Sequence, residues 1–194
     1  SLLFNPHPIK FKIPKSKEIK SNFGTIEKVR LPKNLDEIAF YTLPQLHALI
    51  KSKKITSLEL TKLYIKRLKQ HNSSLFCVIN LTEDLALKQA KRADSLLKNG
   101  IILGPLHGIP YGLKDLISVE GYPTTWGAYP YKNKRINKTA TIARELERSG
   151  AVLVAKLVSG SLARGDVWFG GMTRNPWDPK QGASGSSAGS GSAT

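Results

Sequence analysis

This 194-residue chain has a single cysteine and few acidic residues for its many basic ones. Its one cysteine, Cys77, excludes an intramolecular disulfide framework, so a hydrophobic core must hold the fold. A lone thiol also fits a reducing compartment, which favours the cytoplasm. A removed export signal stays open, because the chain starts Ser1-Leu2-Leu3-Phe4 and its only methionine is Met172. No apolar run approaches the ~20 residues of a membrane helix, so no membrane span is expected. His47 and His71 fall in expected helices and His107 in a loop, without metal-ligand spacing, and no Walker-type glycine loop is present. Neither a metal nor a cofactor is expected.

Asp and Glu number 14 against 30 Lys and Arg, a formal charge of +16. The excess is steepest in residues 1–72, with 15 basic and 5 acidic residues. Such a balance favours polyanions, though charge speaks to association and not to fold. Residues 1–40, with Pro6, Pro8, Pro14 and Pro32 among scattered lysines, read as a basic extension holding at most short elements.

Residues 41–194 read as part of one α/β domain. Thr42 and Pro44 open a first helix, and Thr56 with Glu59 opens a second that ends near Asn72. Phe76–Asn80 reads as a strand, and Thr82 caps a third helix running to about Lys98. Beyond it, Ile109–Leu113 and Ala151–Ala155 are buried-strand candidates flanking a helix over Thr139–Ser149. Strand, helix, strand is a βαβ unit, which implies parallel strands in a sheet flanked by helices. Functional residues of such sheets gather at the C-terminal strand ends, where Lys114 falls.

Lys114 follows apolar Ile109 and Leu113. A lysine buried there loses preference for its charge and becomes a base near neutral pH. The competing reading pairs it with a carboxylate such as Asp115, its neighbour. Far along the chain, Gly182–Thr194 holds five serines and four glycines. Glycines let backbone approach a substrate closely, and hydroxyls pass protons in either direction. If a helix begins near Ser187, its dipole favours negative charge nearby. A flexible linker is the plain alternative, but Asn175-Pro176-Trp177-Asp178-Pro179 just before it is too rigid and aromatic for one. Lysine beside packed serines suggests amide or ester hydrolysis.

These segments together resemble the amidase signature family. The likeness covers roughly residues 42–194. Its carriers are Gly104-Pro105-Leu106-His107-Gly108-Ile109-Pro110, Leu113-Lys114-Asp115, Gly150–Lys156, Asn175–Pro179 and Gly185-Ser186-Ser187-Ala188-Gly189-Ser190. The resemblance implies an α/β fold with a mixed or parallel central sheet, incomplete here at the C-terminus. It also implies a Ser–cis-Ser–Lys triad, with Lys114 as base and Ser186, after a cis peptide bond, as relay. An alternative register puts Ser184 in the relay position. Asp115, Gly185, Ser187 and Ser190 would support the loop, and Arg164 falls where relatives contact substrate. The nucleophilic serine and its oxyanion donors are expected beyond Thr194.

The expected activity is hydrolysis of a carboxamide C–N bond in a small-molecule amide, with a homodimer left open. An alternative within the family is the glutaminase component of a tRNA-dependent amidotransferase, which needs partner subunits and charged tRNA. A rival of another class is a non-catalytic basic module that binds nucleic acid or an anionic surface.

Overall fold

Hydrogen-bonded caps start the first two helices. In the structure, a computed structural model that describes residues 29–194, α1 spans Leu43–Lys51 and α2 spans Ser57–Leu75. The Thr42 amide donates to Gln45 Oε1 at 2.8 Å, and the Thr56 amide donates to Glu59 Oε2 at 2.8 Å. Both caps reciprocate, so each satisfies amides that a helix start leaves unpaired. Helix α2 has a further acceptor, because Asp94 takes hydrogen bonds from the Ser57 and Leu58 amides at 2.7 and 3.0 Å. Asp94 belongs to α3 (Glu83–Lys98), so the cap also docks one helix on the other.

Helix α2 runs past the expected stop at Asn72 to Leu75, and Phe76 terminates it in the left-handed region (φ 52°). Asn72 is instead a clamp, its Oδ1 accepting from the Val78 amide at 2.7 Å. Thr82 precedes α3 but does not cap it; its hydroxyl donates to the Leu153 carbonyl at 2.6 Å. The buried carbonyl outcompetes the helix amides because it has no water to fall back on.

Three strands form the main sheet in the order β1-β3-β2, with β1 Val78–Leu81, β2 Pro110–Lys114 and β3 Val152–Leu157. β2 and β3 are parallel, and the chain between them carries α4 (Thr141–Arg148), which is the expected βαβ unit. β1 is antiparallel to β3, so the sheet is mixed. Every residue of β3 is buried, the mark of a central strand covered on both faces. Helices α2 and α3 bury Ile65, Ala86 and Ala90 against Val152 and Val154. A second cluster joins Ile38, Leu46, Leu49 and Leu60 to Ile109. Ile38, in a 3-10 turn over Leu35–Phe40, is fully buried there, with Val29 packed alongside. Each such side chain contributes about 1.5–3 kcal/mol on leaving water. Residues 1–28 of the basic segment 1–72 that prompted the polyanion reading lie outside the described residues.

A small hairpin, β4 (Val167–Trp168) and β5 (Gly171–Met172), and the short helix α5 (Ala188–Ala193) complete the chain. Among the described residues no helix is long and apolar enough to cross a membrane.

Candidate active site

Lys114 is the last residue of β2, at the C-terminal end of the sheet. Its Nζ donates to Ser186 Oγ at 2.7 Å across 72 residues of sequence. The Gly185–Ser186 peptide bond is cis. Lys114 is half-buried, not enclosed as its apolar neighbours suggested. The fully buried lysine at this end of the sheet is Lys156.

The serine loop is no free linker. Its Ser184 amide donates to Asp166 Oδ2 at 3.0 Å, and its Ala183 amide to the Thr173 carbonyl at 2.9 Å. The Ser186 carbonyl accepts from the Gly160 amide at 3.0 Å, and the Gly189 amide donates to the Val158 carbonyl at 3.0 Å. The chain leaving β3 is thus the wall on which the loop is stitched. Glycine is required at the seam, since a Cβ on Gly185 would stand 1.8 Å from the Gly165 carbonyl oxygen.

Of the other expected site residues, Ser187 takes the N-cap position of α5 without a side-chain cap bond, and Ser190 is half-buried within α5. Ser184 has positive φ (61°) and is exposed, and Lys114 bonds Ser186 instead. Arg164 is exposed on the loop whose Gly165 abuts Gly185.

Asp115 turns away from Lys114. Its Oδ1 accepts from Lys156 Nζ at 2.6 Å, with both side chains at 0% exposure. Its Oδ2 accepts from the Thr125 amide at 2.8 Å and the Thr125 hydroxyl at 2.5 Å. Lys156 also donates to the Pro123 carbonyl at 2.9 Å and to Thr124 Oγ1 at 3.3 Å. Burial pushes the Lys156 ammonium below the ordinary lysine value, while the charge and hydrogen bond of Asp115 oppose that shift. This network was missed in the sequence. Its signal was a charged residue inside the run Ala151–Val158, where a buried strand demands a buried partner.

The remaining candidates are structural. His107 is buried, donating from Nε2 to the Ala93 carbonyl at 3.0 Å and accepting from the Leu103 amide at Nδ1. Cys77 is buried beside β1, and burial pushes its thiol up to about 11. Trp126 packs edge-on against Tyr131 with ring centroids 5.0 Å apart. Trp177, in the proline-flanked segment before the loop, is 94% exposed. Among the described residues no group of three or more His, Cys, Asp or Glu is placed to hold a metal ion.

The parallel strand end of an α/β sheet thus presents a lysine to a glycine-bounded serine loop. The amidase family model matches residues 59–194, and the chain belongs to that family. The GatA-type component of the glutamyl-tRNA(Gln) amidotransferase of Chloroflexus aurantiacus is 36% identical over 162 residues, 82% of this chain and 33% of that protein. Its counterpart in Legionella pneumophila is 37% identical over 157 residues, 79% of this chain and 32% of that protein. The crystal structure of peptide amidase from Stenotrophomonas maltophilia superposes with a TM-score of 0.75 at 32% identity, covering 81% of this chain and 34% of that one. The chain spans about a third of the length of the curated relatives it matches.

Proposed function

We propose that this chain supplies the base and the proton relay of an amide hydrolase. The observation that carries the reading is the 2.7 Å contact between Lys114 Nζ and Ser186 Oγ. With a neutral amine the same contact runs in the other direction, the Ser186 hydroxyl donating to Nζ. Ser186 then accepts the proton of a nucleophilic serine while passing its own to Lys114. The nucleophile is a serine outside these 194 residues, consistent with relatives three times as long. Its oxygen bonds the substrate carbonyl carbon as the C–N bond breaks. The proton held on Lys114 returns through Ser186 to the leaving nitrogen, and water repeats the relay to release the acid. Ser187 and Ser190 follow the relay serine, at the N-cap of α5 and within it, and Arg164 lies on a neighbouring exposed loop where it can meet a carboxylate or carboxamide. The substrate class is a carboxamide.

A second reading has one specific support: glutamyl-tRNA(Gln) amidotransferase components are among the curated relatives at 36–37% identity. Under it the amide is glutamine, and the chain acts with partner subunits and charged tRNA. Ammonia release from glutamine that requires added partner subunits and glutamyl-tRNA selects this reading. Release from a peptide amide by the protein alone selects the free-standing hydrolase.

The test common to both uses a fluorophosphonate, which labels an activated serine by displacing fluoride from phosphorus. In the complete protein Lys114→Ala is expected to abolish labelling and ammonia release while circular dichroism stays unchanged. Labelling at the parental rate overturns the assignment.

A further inference from the structure

Lys114 ends β2, Lys156 lies one residue before the end of its parallel neighbour β3, and of the two only Lys114 meets Ser186. Lys156 is among the largest fully buried side chains of the described chain, and its three acceptors all lie on one side of the sheet end. A buried ion pair adds little net stability over apolar residues of the same size, so its geometry calls for another reason. The register supplies one. Leu113 is opposite Lys156 and Lys114 is opposite Leu157, so Lys114 and Asp115 leave β2 on opposite sides. Whatever clamps the Asp115 side chain also fixes the backbone from which Lys114 projects.

The clamp is complete on every polar atom of the carboxylate. Lys156 holds Oδ1, while the amide and hydroxyl of Thr125 hold Oδ2. The backbone closes it further, the Asp115 amide donating to the Leu157 carbonyl at 2.8 Å. The Thr125 hydroxyl in turn accepts from the Gly127 amide at 3.1 Å, and Gly127 lies so close to the Ser159 carbonyl that a Cβ there would stand 2.0 Å away. Ser159 precedes Gly160, whose amide holds the Ser186 carbonyl. One chain of contacts therefore runs from Lys156 through Asp115 and Thr125 to the segment that seats Ser186.

We infer that Lys156, Asp115 and Thr125 form a positioning unit that sets the Lys114–Ser186 contact from beneath, acting on turnover without touching substrate. The inference rests on the proposed roles of Lys114 and Ser186. A misplacement of about 1 Å at such a contact costs on the order of 100-fold in rate.

The experiment measures fluorophosphonate labelling of the complete protein, separating the maximal inactivation rate from the probe's dissociation constant. In Lys156→Met/Asp115→Asn both charges are gone, so unfolding stability should stay near the parent while the maximal rate falls about 100-fold at unchanged probe affinity. Thr125→Val removes only the hydroxyl and should lower the maximal rate roughly 10-fold, again without loss of affinity. It decides the matter if the double variant does not fold. Either folded variant labelled at the parental maximal rate overturns the positioning role. Lys114→Ala is run in parallel: if it is inert while the other variants are fully active, only the positioning role fails. If Lys114→Ala itself labels at the parental rate, the proposed function fails and the inference with it.

Discussion

Three glycines of the serine loop make a graded test of how tightly that loop is seated. An alanine methyl at Gly185 would stand 1.8 Å from the Gly165 carbonyl oxygen and 2.4 Å from its carbon, both backbone atoms that cannot swing aside. Opening that gap to about 3.0 Å separates the two segments by roughly 1.2 Å, an overpacking that costs about 1–3 kcal/mol. If the loop takes the whole movement along the neighbouring contact, Lys114 Nζ to Ser186 Oγ grows from 2.7 Å to about 3.9 Å, and to about 3.3 Å if the movement is shared equally; both exceed the usual hydrogen-bond range. Gly189→Ala meets the Val158 amide nitrogen at 2.2 Å and the Cys77 carbonyl at 2.3 Å, and should destabilise comparably. Gly191→Ala, with nothing within 4 Å, should be neutral or gain up to about 1 kcal/mol from helix propensity. Urea unfolding midpoints of the complete protein should rank Gly191→Ala at or above the parent and the other two below it. Fluorophosphonate labelling should drop for Gly185→Ala and not for Gly191→Ala. A parental midpoint and labelling rate for Gly185→Ala would refute the claim that backbone contact at this seam sets the site.

The caps and the thiol give two further expectations. Glu59 is held below the ordinary carboxylate value of 4.5, first by the Thr56 hydroxyl and then by the Thr56 amide. Its contribution is fully present above that value and lost as pH falls through the lowered native one. Glu59→Gln keeps both hydrogen bonds without the titration, so unfolding midpoints measured down the acid limb should flatten; an unchanged slope counts against the cap. Cys77 is 2% exposed, with its thiol pushed up by burial, so iodoacetamide should leave it unmodified in the native protein and alkylate it once denaturant is added. Mass spectrometry showing native alkylation at the rate of the denatured chain would contradict its place in the core.

Local chemistry was legible wherever it rested on backbone demand. Thr42 and Thr56 with their glutamine and glutamate partners announced two helices, and the parallel pair flanking α4 followed from an apolar strand on either side of it. Lys114 and Ser186 were legible as a pair only through the family resemblance, because nothing in either segment fixes a contact across 72 residues. What was illegible depended on competition for partners. Thr82 has the look of a cap, yet a buried carbonyl of β3 takes its hydroxyl. Asp115 sits beside one lysine in sequence and pairs with another that lies across the sheet. Strand alternation sends neighbours to opposite sides, so adjacency along the chain argued for the wrong partner.

That alternation explains how one end of the sheet can hold two lysines in different surroundings. Lys156 is enclosed, surrounded by three acceptors and tied to a carboxylate, which fits it to bear structure and bars it from exchanging protons with substrate. Lys114 is half-buried, and among the described residues its one side-chain hydrogen-bond partner is the Ser186 hydroxyl, itself half-buried. Were Asp115 to pair with Lys114, a carboxylate would compete with the Ser186 hydroxyl for the same Nζ. Diverting the carboxylate to Lys156 keeps Lys114 free of that pairing while anchoring its backbone. Under the proposed roles, the buried pair and the lysine–serine contact are one device: the pair anchors the backbone and the contact carries the relay.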